Sequence, residues 1–224
     1  MASLDYAELH CHSAFSFLSG ANQPETLVER AREVGLYALA LTDTLDLGGI
    51  PRFGQSAREA GIAGIIGAEL IMEDEFQLVL LACDLTGYSN ISSLISKSRM
   101  NNERGEARVK YDDLFANSDG LIVLSGDENG AIASALYRGE ETRAVKYLRR
   151  LKEVFASRFY IEVCNHHLAQ ESRVARRLIE MAVSSGVNWV VANSAFYARP
   201  ADRIIHDALV CLKHRVTLDK AGRR

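Results

Sequence analysis

Along the chain, short apolar runs alternate with stretches whose apolar residues recur every three or four positions. These are the periods of buried strands and of the helices packed on them. The runs are Tyr6–Cys11, "YALALTD" (37–43), "AGIIGAEL" (63–70), "FQLVLLACD" (76–84), "GLIVLSG" (120–126), "RFYIEV" (158–163) and "NWVVANS" (188–194). The first helix is predicted in "NQPETLVERAREVG", where Pro24 and Glu25 open the first turn and Gly35 closes the last. A second at about 48–60 ends on Gly61, and a third in "TGYSNISSLISKS" turns Leu85, Ile91, Leu94 and Ile95 inward. The polar stretch 99–110 reads as a loop and "YDDLFAN" as a short helix; further helices are expected at about 129–138, 140–156, 168–185 and 200–214. Seven strands alternating with helices predict an α/β fold with a parallel sheet, open or closed.

Polar residues collect at the C-terminal ends of the runs: His10 and His12, Thr42 and Asp43, Glu69, Asp84, Asp127, Asn193 and Ser194. That rim is where barrels of alternating strands and helices place their sites. Within "YAELHCHSAFSFLSG" the alternation of a strand sends His10 and His12 to one face and Cys11 to the other. Two imidazoles on one face look like half of a metal site. Cys11, pointing into the sheet, is a poor catalytic thiol.

Composition narrows the field without naming a chemistry. Hydrophobic residues make up 48% and charged residues 25% of the 224, the profile of a soluble globular protein. The net charge of −3 argues against an overall polyelectrolyte partner, and the basic clusters Arg143–Lys152 and Arg173–Arg177 read as solvated helix faces. No stretch reaches the roughly 18 apolar residues of a membrane span, and the acidic N-terminus has no signal pattern. Cys11, Cys83, Cys164 and Cys211 are scattered, which suits reduced thiols and a cytoplasmic location. No G-x-G-x-x-G follows the first strand and no P-loop is present. Tyr6, Trp189 and Phe196 read as core aromatics.

The segments "ELHCHSAFSFLSGA", "LALTD", "GIIGAEL", "LVLLACDLTGYSNISSLIS" and "LVCLKHRVTLDKAGR", in this order, resemble the polymerase-and-histidinol-phosphatase (PHP) domain of bacterial DNA polymerase III α-subunits. The last segment is most similar to their error-prone, damage-tolerant branch. The resemblance covers essentially the whole chain, so residues 1–224 are expected to be a single PHP domain, either the N-terminal part of a longer α-subunit or a truncated product. It implies a distorted seven-stranded (β/α)7 barrel, TIM-like. Active members hold up to three metal ions and cleave phosphoesters; in others the domain is a metal-free scaffold.

Carried over residue by residue, the resemblance makes His10 and His12 metal ligands and Glu69 the carboxylate that bridges two metals. Asp43 remains from a T-D-H motif whose histidine is Thr44 here. Asp127 replaces a cysteine and could bind a hard ion, Gln77 stands where a histidine often precedes "LVLLA", and Ser19 where an acidic residue precedes glycine. Ser194 and Phe196 stand where N-D-x-H-Y has its aspartate and histidine. His166 and His167 lie near where some members have a ligand histidine.

Each of these has a plainer reading. His10 and His12 could be hydrogen-bonded rim residues, Glu69 a structural partner of an arginine, Asp127 a turn or cap residue, and Asp43 a support that orients a histidine. Two functions follow. The first is a degenerate PHP module, non-catalytic or weakly metal-binding. Its partners would be the rest of the polymerase α-subunit and accessory polymerase proteins, with DNA met indirectly and no membrane. The alternative is an active metal-dependent phosphoesterase, nuclease or phosphatase, on a reduced metal set of one Zn²⁺ or Mn²⁺, with Arg52, Arg99 and Arg104 as candidate phosphate cations.

Overall fold

A computed structural model describes residues 4–220. The strands are β1 (Leu4–Glu8), β2 (Leu36–Leu41), β3 (Ala63–Ile71), β4 (Gln77–Ala82), β5 (Leu121–Leu124), β6 (Phe159–Val163) and β7 (Asn188–Val191), neighbours in that order in one sheet. The helices are α1 (Pro24–Val34), α2 (Ile50–Ala60), α3 (Leu85–Asn101), α4 (Tyr111–Ala116), α5 (Ala131–Tyr137), α6 (Glu141–Phe155), α7 (Ala169–Ser185) and α8 (Arg203–His214). The seven-stranded α/β arrangement expected of a PHP-type barrel is therefore present. Two compact units divide the chain, one from residues up to 66 together with those from 194 onward, the other from 67–193.

In the first unit β1, β2 and the start of β3 pair in parallel. Helix α1 buries Leu27, Val28 and Ala31, and α2 buries Phe53 and Ala57, each a stripe at helical spacing. Both helices stop at the glycine foreseen, Gly35 and Gly61, in the left-handed conformation that lets their amides cap the last turn. The chain beyond β7 returns to this unit: Cys11 and Ala195 pair in parallel, with His12 N donating to Ala195 O and Ala195 N to His10 O.

Arg199, on that returning segment, makes a two-pronged pair with Glu33 of α1, 2.7 Å on each arm, and Arg30 adds a third bond. Hydrogen bonds from Arg199 and then Arg30 hold the Glu33 carboxyl at about 2, well under its ordinary value. A carboxyl depressed in the fold adds stability above its ordinary value, and that contribution is lost as pH falls toward 2. Arg199→Ala should return Glu33 toward the ordinary range in a carboxyl NMR titration. An ordinary value already in the unaltered protein would show that the pair does not form in solution.

In the second unit β3 and β4 are antiparallel, as are β4 and β5; only β5, β6 and β7 run parallel. An all-parallel sheet is thus corrected at β4. A parallel return needs a crossover of a dozen residues or more. Only residues 72–76 join β3 to β4, in a tight turn closed by Met72 N to Phe76 O and Glu75 N to Met72 O. Asp84 therefore lies at the opposite strand end from Ile71 and Leu124, where it caps α3 by accepting from Gly87 N. Leu85, expected inward, is 85% exposed because it opens that helix, while Ile91, Leu94 and Ile95 are buried as foreseen. Helix α3 runs on to Asn101, shortening the foreseen loop.

The basic clusters are partly tied down. Arg150 lies over Tyr111 and Phe115, Arg143 over Phe76 and Tyr147, and Arg177 pairs with Glu141 and Glu180. Trp189 is 41% exposed on β7 and is not a core residue.

Candidate metal centre

Strand β1 ends at Glu8, three residues earlier than the pattern suggested, but extended geometry continues through the bridge at Cys11. The alternation therefore holds. His10 and His12 share a face, both fully buried, with their Nε2 atoms 3.0 Å apart. Two imidazoles bound to one tetrahedral ion at zinc–nitrogen distances of ~2.0–2.1 Å would bring their nitrogens to about 3.3 Å. The pair needs little movement to share a cation.

His12 is held on three sides. Its Nδ1 lies 3.0 Å from Ser16 Oγ, and Phe196 stacks on its ring at 4.4 Å between centroids and 5° between planes. Its backbone is clamped to Ala195. Burial lowers its pKa well below the ordinary value, and the charges of His10, Lys213 and His206 act in the same direction. The ring is neutral at pH 7, the form that ligates metals. On the other side of the chain Cys11 is buried, and burial, followed by the charges of Glu8 and Asp43, raises its thiol pKa. Cys11 stays protonated and unreactive, as its position in the strand implied.

Asp43 is drawn into the same network, but its oxygens are engaged by serines. Ser13 N and Ser16 Oγ donate to Oδ1 at 2.7 and 2.6 Å, and Ser13 Oγ donates to Oδ2 at 2.7 Å. Thr44 N donates to Ser16 Oγ at 3.1 Å. Asp43 thus supports His12 at one remove, through a hydroxyl that residue spacing did not suggest. The available sign was local. "HSAFSFLSG" is rich in serine, which bonds within turns rather than extending strands.

Glu69 and Asp127 belong to the second unit. Glu69 is buried on β3 opposite Val79, and Gln77, opposite Ile71, projects from the same face. Gln77 Oε1 is buried without a hydrogen-bond partner. Asp127 folds over its own loop, Oδ1 accepting from Asn129 N at 2.8 Å, the turn geometry foreseen as its plainer reading. His166 and His167 are exposed on the loop after β6, His166 donating through Nε2 to Asn193 O. Arg52 is occupied by Glu25 and Gln23.

Where the resemblance expects a final ligand imidazole, Phe196 offers a hydrocarbon ring lying flat on His12, with His206 on its other neighbouring position at 5.1 Å. The donor set of the first unit therefore suits one ion held by two imidazoles and does not suit a cluster.

Residues 8–166 match the PHP domain family. An error-prone DNA polymerase of Symbiobacterium thermophilum is 33% identical over 97% of this chain, and error-prone DNA polymerase 1 of Agrobacterium fabrum 32% over all of it. The DNA polymerase III α-subunit of Treponema pallidum is 34% identical over 95%. The chain spans about a fifth of the length of these relatives: 22%, 20% and 19%. Among solved structures, a Bifidobacterium adolescentis protein assigned to the metal-dependent phosphoesterases superposes with a TM-score of 0.56 at 18% identity. That superposition covers 87% of this chain and 89% of the other, which establishes a shared fold. With the buried His-x-His pair at the end of the first strand, these matches show that the chain belongs to the PHP-domain family, with homologues named error-prone DNA polymerase along nearly its whole length.

Proposed function

We propose that the chain, taken as one module over residues 1–224, is the PHP part of a polymerase III α-like protein of the error-prone kind. In it the phosphoesterase centre is reduced to a non-catalytic scaffold that retains weak binding of one divalent ion, Zn²⁺ or Mn²⁺. The observation that carries this reading is the pair of converging Nε2 atoms of His10 and His12 with the Phe196 ring stacked on His12: the first motif keeps two imidazoles together and the last is replaced by a group that cannot coordinate. His10 and His12 would hold the ion, and Glu69 is the carboxylate that the family motif assigns to it. An ion held there would supply the Lewis-acid polarisation of a phosphoryl oxygen and the activation of water on which an active phosphoesterase would depend. Asp43 and Asp127 are left out of the ligand set because their carboxylates serve Ser13, Ser16 and Asn129.

The partners in this reading are the remainder of a polymerase chain and its accessory proteins, with DNA met through them. Four free cysteines suit a reducing cytoplasm, and among the described residues no helix is long and apolar enough to cross a membrane.

The test is elemental analysis after incubation with Zn²⁺ or Mn²⁺ and desalting. The unaltered protein should keep up to one ion per chain, and His10→Ala with His12→Ala should keep none. Loss of the ion in Glu69→Gln would add the carboxylate to the set. Metal retained equally by the double variant would remove the site from His10 and His12. Mn²⁺-dependent hydrolysis of a phosphodiester that disappears in the double variant would replace the scaffold with the phosphoesterase.

A further inference from the structure

Ser16 Oγ has one proton and two lone pairs, and three groups surround it. Its proton goes to Asp43 Oδ1 at 2.6 Å, because that carboxylate also receives Ser13 N and Ser13 Oγ and acts throughout as acceptor. One lone pair receives Thr44 N. What remains toward His12 Nδ1, at 3.0 Å, is the second lone pair, so the proton of that contact must come from the imidazole. The His12, Ser13, Ser16 and Asp43 side chains are all buried, none more than 1% exposed.

We infer that Ser16, oriented by Asp43, is a positioning residue that fixes His12 as its Nδ1–H tautomer and leaves a bare lone pair on Nε2, facing His10. The arrangement extends the pairing of a ligand histidine with a carboxylate by one hydroxyl. Its orientation is independent of any ion. With no proton on His12 Nε2, the 3.0 Å contact between the rings is made by the proton on His10 Nε2. Its use as preparation for metal rests on the single-ion reading above.

Long-range ¹H–¹⁵N correlation of the histidine rings in metal-free protein at pH 8 tests the tautomer directly. The expected result is a proton on His12 Nδ1 in the unaltered protein and loss of that preference in Ser16→Ala. A proton on Nε2 in the unaltered protein overturns the inference, and an Nδ1 proton unchanged in Ser16→Ala removes Ser16 from it. Zn²⁺ competition against a chromophoric chelator supplies the second readout, with Ser16→Ala expected to weaken binding about 10–100-fold. If the tautomer behaves as expected while neither protein binds Zn²⁺, the positioning stands and the single-ion reading falls. Should Ser16→Ala fail to fold, the tautomer of the unaltered protein still decides.

Discussion

Asp43→Ala is expected to lower the unfolding free energy by about 3 kcal/mol. The substitution leaves Ser13 N, Ser13 Oγ and Ser16 Oγ without their acceptor in a region where Ser13, Ser16 and Asp43 are all at most 1% exposed. Each buried donor left unsatisfied costs roughly 1–3 kcal/mol. Part of that is offset, because burial raises the Asp43 pKa against the lowering effect of its serine bonds, so removing the carboxylate also removes a desolvated charge. Three orphaned donors outweigh one relieved carboxylate. Urea unfolding measures the difference, and a loss under about 1 kcal/mol would mean that loop 13–16 is held by its other contacts.

Gly20→Ala should cost a similar amount, about 3 kcal/mol, by a steric route. A Cβ there would lie 1.8 Å from Ser13 O and 2.3 Å from Ser13 C, both backbone atoms. The loop is closed on itself at this point, with Ser16 N donating to Ser13 O and Gly20 N to Ser16 O, so the carbonyl has nowhere to go without pulling Ser13 off Asp43. Overpacking of a filled interior typically costs 1–3 kcal/mol, and here the obstacle is rigid backbone. Because the two substitutions disrupt one network, their combined effect should be less than additive in a double-mutant cycle. Full additivity, or a melting temperature unchanged by Gly20→Ala, would show that the loop has room to move.

The periodicity of apolar residues located all seven strands and the main helices, since burial on a sheet or helix face imposes a period whatever the topology. Strand direction was a different matter. "LVLLA" reads as the same apolar run whether it lies parallel or antiparallel, and only the five-residue link 72–76, too short for a crossover, carried the information. Leu85 and Trp189 were misplaced because an apolar residue at a helix start or on a short strand has the right period without being covered. At the site, alternation gave the shared face of His10 and His12. The supports of His12 were not legible. Ser16 is brought to Nδ1 by a turn rather than by a repeating element, and Phe196 arrives from 184 positions along the chain.

The backbone clamp at Ala195 also sets an order of events during synthesis. Residues 67–193 form a continuous unit and can pack as soon as they emerge, whereas the unit that contains the histidine pair is interrupted by them. A nascent chain that has reached Asn193 has made both imidazoles, Ser16 and Asp43, yet still lacks the carbonyl and amide that fasten His10 and His12 and the ring that covers one of them. The two histidines are thus among the last groups to be locked, and the closing step joins His12 to Ala195 across most of the described residues, the kind of contact that slows folding most.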